Sequence, residues 1–238
     1  MTGVNPRTAR RPVRVLTAAL ACVGLLAAAG CELRPGVAAE VGDTRISVER
    51  VDAVASAICA ANLSAAEAQG APAQEIPTAG PRIGALQVLI SSEVSRQLGE
   101  ALDIEAAPGE LSAALAQNDA GIAALPADRR EVFRETLRDF TEGQLILIGV
   151  GRAALGAVGQ TDVTDDEALA EGTRIQAAYL AEEIDVRVDP RFGEIVDGQL
   201  VPGDTDLSVA QSQRAVDADA AQPDPSYVSS LPVSLLCS

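Results

Sequence analysis

Few side chains in this 238-residue chain can do chemistry, and two of the usual kinds are missing. There is no histidine and no lysine: all 18 basic residues are arginine, set against 34 aspartates and glutamates. Composition alone therefore excludes Ser-His-Asp and Cys-His nucleophilic systems, Ser-Lys dyads, Schiff-base lysines, the phosphate-loop lysine and histidine-rich metal sites. What remains is carboxylate chemistry and four cysteines, Cys22, Cys31, Cys59 and Cys237. Paired carboxylates can cleave glycosidic bonds, but a sugar cleft usually offers aromatic platforms, and this chain has three Phe, two Tyr and no Trp. Asp162, Asp165, Asp166 and Glu167 can be imagined around a cation. However, Thr164 followed three residues later by Glu167 is a capping box, which accounts for these acids without an ion. No metal or cofactor is expected. The formal net charge of −16 repels phosphate, so nucleic acid is not expected as a partner.

The cysteines sort by position. Arg7, Arg10, Arg11 and Arg14 precede an uncharged stretch, Val15 to Cys31, that closes on Ala28-Ala29-Gly30-Cys31. A basic region, a short apolar run and small residues before a cut mark an export signal over residues 1–30. The run lies at the lower limit of the ~20 residues that span a bilayer, so cleavage is favoured over an uncleaved anchor. Cysteine directly after Ala-Ala-Gly resembles the lipobox of bacterial lipoproteins. That resemblance implies a diacylated Cys31 as mature N-terminus, instead of a plain signal peptide, and a place on the extracytoplasmic face of the cell membrane. Residues 1–30 hold four Arg and no acid, so the processed chain keeps 14 Arg against 34 acids, a net charge of −20. Cys22 leaves with the signal and Cys31 goes to lipid. Cys59 and Cys237 then remain as an even pair in an oxidising compartment, where a disulfide is expected. The alternative is two separate thiols, Cys59 on a buried helix face and Cys237 in a loose tail.

These residues need elements to position them. After a tether over residues 31–36, Val37 to Ser47 reads as two short strands around Gly42-Asp43. Ser47 is an N-cap for a helix to about Asn62, and Leu63 to Pro81 should be a loop. Ile83, Leu86, Ile90, Val94 and Leu98 recur every three or four residues, the mark of an amphipathic helix over 82–102. Pro108 opens a shorter helix that fades near Ala124. The longest helix should run from Ala127 to about Ala157, with Phe133, Leu137, Phe140 and Leu147 on one stripe. Thr164 caps another, to about Glu183. Ile184 to Asp189 alternates like a half-buried strand and ends at Pro190. Beyond Val201-Pro202 no periodic pattern is sustained, which predicts a polar, mobile tail over 202–238. Helices segregated from a small sheet of N- and C-terminal strands indicate an α+β, predominantly helical domain over residues 37–201.

Several of these pieces resemble a known family. Val37 to Val51, a strand, a Gly turn, an Ile and a helix, looks like the entry of SurA and PrsA N-terminal chaperone domains. Leu86 to Glu110, with Val88-Leu89-Ile90 and Asp103-Ile104 before Pro108-Gly109-Glu110-Leu111, is similar to the second helix of that domain and its following turn. Val186 to Gly193, with Leu207-Ser208-Val209, looks like the closing strand and tail of actinobacterial lipoproteins in this group. In that family the helical domain holds unfolded or partly folded exported polypeptides, and a parvulin domain can be inserted to isomerise prolyl bonds. The stretch between the long helix and the Val186 strand is too short for that insertion. Parvulin sites also typically use histidines, which this chain lacks, so the resemblance implies holding without catalysis.

Holding would need an apolar groove with a polar rim. The candidates for its lining are Leu86, Ile90, Val94, Phe133, Leu137 and Phe140, if they are not ordinary core. Exported polypeptide clients are the expected partners. The alternative is a structural or adaptor lipoprotein that docks one dedicated envelope protein.

Overall fold

The structure is a computed structural model that describes residues 35–71, 75–196, 198–201 and 224–237. The signal segment, Cys31 and residues 202–223, including Leu207-Ser208-Val209, lie outside the described residues.

Mostly helical with a small antiparallel sheet, the fold has the expected α+β class. β1 (Val37–Val41) and β2 (Thr44–Ser47) form a hairpin, and β3 (Val186–Val188) pairs with the other side of β1, giving the order β2-β1-β3. The turn depends on Gly42, whose φ of 54° suits the first position of a two-residue hairpin loop. Its N–H donates to the Asp185 carbonyl at 2.9 Å, which ties the hairpin to the chain just before β3. Ala39 faces both Ile46 and Val188 in the ladder, so β1 is central and fully buried on its core face.

α1 (Val48–Ala68) begins as expected, with the Ser47 hydroxyl accepting the Arg50 N–H at 3.1 Å, but it runs six residues beyond Asn62. Ala65-Ala66-Glu67-Ala68 are good helix formers, and the stop comes only at Gly70. There Gly70 N–H bonds to Glu67 O (2.9 Å) and Ala71 N–H to Ala66 O (3.0 Å), a Schellman closure with Gly70 at φ 66°. α2 (Ala79–Leu102) crosses α1, and two short helices follow, α3 (Pro108–Ala116) and α4 (Asp119–Ala124), where one fading helix is predicted. α5 (Arg130–Ala157) and α6 (Asp165–Glu182) form an antiparallel pair. The capping box at α6 is complete: the Thr164 N–H donates to Glu167 Oε2 at 2.9 Å, and the Glu167 N–H donates to Thr164 Oγ1 at 3.3 Å.

With almost no aromatic side chains, the core is filled by small and aliphatic ones. Val41, Val51, Val54, Leu86, Ile90 and Val94 are its centre, joined by Phe192 after β3. A second cluster, Leu98, Ile146, Leu147 and Val150, sits between α2, α5 and α6. α5 reaches both neighbours through glycine. A methyl on Gly151 would overlap the carbonyl of Ala168, and one on Gly172 the carbonyl of Leu147, so α5 and α6 touch backbone to backbone. Gly143 likewise lies against Ser95 and Ser92 of α2. The buried stripe of α5 is therefore Thr136, Gly143, Ile146, Leu147, Val150 and Gly151, offset from the Phe133–Phe140 stripe that periodicity suggests.

Two elements escape the sequence reading. β4 (Glu194–Val196) and β5 (Gln199–Val201) form a separate hairpin at Gly198, whose φ is 77°. The expectation of a mobile tail up to Ser238 also needs correction. α7 (Pro225–Val228) is capped by Asp224, and a 3₁₀ turn follows over Val233–Leu235. Cys237 is bridged to Cys59 across 178 residues. The Cys237 N–H donates to Ile76 O (2.8 Å) and the Thr78 N–H to Leu235 O (2.9 Å), so the end of the chain lies as a short strap on the loop before α2. A cross-link anchors this segment where hydrophobic periodicity is lacking.

Three outcomes follow for stability in urea. Gly151→Ala and Gly172→Ala should each cost about 3 kcal/mol, because the added methyl meets helix backbone that cannot swing aside. Gly156→Ala, in open space on the same helix, should gain roughly 0.5–1 kcal/mol. Replacing Cys59 and Cys237 together by Ala should cost about 2–5 kcal/mol, and non-reduced peptide mapping of the native protein should recover the two joined.

Candidate functional site

A cleft of about 320 Å³ opens where the β2 edge, α2 and α5 diverge. Helical spacing builds two of its walls. Leu89, Ser92, Glu93 and Arg96 of α2, and Asp139, Glu142, Gly143 and Ile146 of α5, each occupy positions i, i+3, i+4 and i+7, one face per helix. The third wall is β2 with Arg50 from the first turn of α1. Ile46 and Ile146, both buried, and the partly buried Leu89 form the apolar floor.

The polar side chains are unevenly satisfied. Glu93, 14% exposed, accepts from Arg96 Nε at 2.9 Å and from Gln97 Nε2 at 2.7 Å. Gln97 also donates to Val41 O at 3.1 Å, which fastens α2 to the hairpin. Burial alone would raise the Glu93 carboxyl, but hydrogen bonds from Arg96, Gln97 and Thr44 outweigh it and hold the group below its ordinary value. Arg96 is shared with Glu100, Arg45 pairs with Glu40 at 2.9 Å, and Arg50 donates to Glu135 at 3.0 Å. Every arginine of the cleft is thus engaged.

The carboxylates of α5 are less well matched. Asp139, 49% exposed, has only Arg50 at 3.9 Å, and Glu142 one turn on has no ion pair among the described residues. Lost water pushes the Asp139 carboxyl above its ordinary value; Arg50 and Arg138 oppose this, while Glu142 and Glu135 push the same way. Behind them, Gln176 donates to Ser91 O (3.1 Å) and Ser95 Oγ (2.8 Å), joining α6 to α2. Ser92 Oγ, at the cleft wall, is buried without a hydrogen-bond partner.

None of the six proposed groove residues lines this cleft. Leu86, Ile90 and Val94 are at most 2% exposed, on the face of α2 turned into the core, and they do not border open space. Phe133 and Leu137 are half-buried, and Phe140 is 38% exposed on another side of α5. The reason is geometric: an apolar stripe marks the face a helix buries, whereas the cleft is bordered by the mixed faces beside those stripes. The sequence signal that could have found it is the repeated i, i+3, i+4, i+7 set of one apolar and three small or charged residues on α2 and α5.

A second hollow, of about 370 Å³, flanks the Cys59–Cys237 bridge. Arg82 crosses it, donating to Asp52 at 2.6 Å and lying 5.2 Å from the Phe192 ring centroid. Asp189 and Arg191 form an ion pair at the turn after β3, at 2.6 Å. Among the described residues no group of three or more acids or cysteines is arranged to hold a metal ion, and no helix is long and apolar enough to cross a membrane.

Glu93→Gln should lower stability at pH 7 by roughly 1 kcal/mol. Because the folded-state value is depressed, that difference is present above the ordinary glutamate range and fades as pH falls through the folded value. Asp139→Asn should stabilise at pH 7, since its folded value is raised, and the gain should vanish below the ordinary aspartate range. Urea unfolding at both pH values reads the two signs.

Compared with models of known protein families, with curated proteins and with solved structures, the chain matches none.

Proposed function

We propose that the protein is a lipid-anchored, extracytoplasmic holder of unfolded or partly folded exported polypeptides. In this reading it resembles the N-terminal domain of SurA and PrsA chaperones and lacks prolyl isomerase activity. The observation that carries the reading is the cleft at the β2 edge: open, floored by Ile46, Leu89 and Ile146, and rimmed by charge. An apolar floor accepts side chains of many sequences, and a polar rim keeps such a surface soluble while empty. The order of elements supports the resemblance, with an N-terminal hairpin and a late strand enclosing a helical body. The Cys59–Cys237 bridge fits an oxidising compartment. Catalysis is left out of the proposal because the chain contains no histidine.

The protein should suppress aggregation of a reduced, unfolded client as light scattering falls with its concentration. No suppression at several-fold excess overturns the proposal. Crosslinking in the envelope should recover many polypeptides; one dominant product would instead identify an adaptor for a dedicated partner.

A further inference from the structure

The charges within the cleft specify more than apolar binding. Arg45, Arg50 and Arg96 are each engaged by a carboxylate of the chain itself. Among the described residues Asp139 has one guanidinium at the outer limit of an ion pair, and Glu142 has none. These two carboxylates sit one helical turn apart at the mouth, above Ile146 and Gly143, so the unbalanced charge of the cleft is negative. Arg138, beside Asp139 on α5, offsets part of this charge but forms no ion pair with either carboxylate among the described residues, and the chain as a whole is strongly acidic, with a net charge of −16. The buried Ser92 hydroxyl on the opposite wall adds an unused donor and acceptor. The third wall, β2, is an edge strand, and a sheet edge offers backbone groups to an extended chain.

We infer that the cleft selects extended polypeptide segments in which basic and apolar side chains alternate, the basic group seated by Asp139 and Glu142 and the apolar ones on Ile46, Leu89 and Ile146. This rests on the polypeptide-holding reading above and names its substrate class. Alternation suits the geometry because successive side chains of an extended chain point to opposite sides, one toward the floor and the next toward the rim. An acidic segment would meet two unpaired carboxylates. A neutral one would leave them as they are.

The test uses the intact protein and three dye-labelled ten-residue peptides, in which Val and Leu alternate with Arg, Gln or Glu, read by fluorescence anisotropy. The Arg peptide should bind about tenfold more tightly than the Gln peptide at low salt, and the preference should shrink as salt rises. Asp139→Asn with Glu142→Gln should remove that preference and leave the Gln peptide unaffected. Glu110→Gln with Asp119→Asn removes the same charge from α3 and α4, away from the cleft, and should leave the preference within about twofold of its original value. Equal binding of the Arg and Gln peptides overturns the inference while the holding function stands. Equal losses in the two double variants also overturn it, because the attraction would then belong to the whole acidic surface. No binding of any peptide overturns both this inference and the function on which it rests.

Discussion

The backbone-to-backbone contact of α5 with α6 is the constraint from which much of the architecture follows. Gly151 against Ala168, and Gly172 against Leu147, bring the two helices nearer than side chains of ordinary size allow. Such proximity compensates for what the composition lacks. Without tryptophan and with three phenylalanines, the chain has few large side chains to fill wide gaps between helices, so it narrows the gaps. Gly143 extends the same device toward α2. Gly143, close against Ser92 and Ser95 of α2, also lines the cleft, so the close approach of the two helices and the opening beside it meet at one residue.

Polar side chains then fix the pieces that apolar packing leaves loose. Gln97 bridges α2 to the β1 carbonyl and to Glu93, and Gln176 bridges α6 to two serines of α2. Both amides span elements distant in sequence, where a misplacement would leave buried donors unpaired, so they specify orientation more than they add stability. The exposed arginine pairs on single helices, such as Arg134 with Glu131 and Arg174 with Glu171, are worth far less individually. An arginine-only basic set nevertheless suits a surface with an excess of carboxylates, since each guanidinium can engage two acids, as Arg96 does.

Where local chemistry decides, the sequence was readable. Ser47 and Thr164 cap the helices they were expected to cap, Pro108 opens α3, and the alternating run before Pro190 contains a strand. The even cysteine pair is joined. Three-residue strands such as β4 and β5 lie below the length at which alternation can be recognised, although the Asp197-Gly198 dipeptide is a hairpin-turn signal that stands in plain view. Phe192 is core although it follows Pro190, where the alternating pattern ends, so periodicity gives no sign of it. The cleft escaped for a deeper reason. Periodicity reports that a helix has an inside, but whether the neighbouring face meets protein or open space depends on where a second helix, fifty residues away, happens to diverge.

The position of β1 has a consequence for the order of assembly. Its partner on one side is two residues away across a turn, and its partner on the other side is β3, with Ala39 opposite Val188. The hairpin can form as soon as it is made. The central strand nevertheless keeps one row of backbone groups unpaired until a strand about 140 residues further along the chain arrives, and this late, non-local closure is the kind that slows folding. During that interval β1 presents a bare strand edge beside an incomplete core. A strand that waits so long for its mate is open to pairing with other strands throughout that interval.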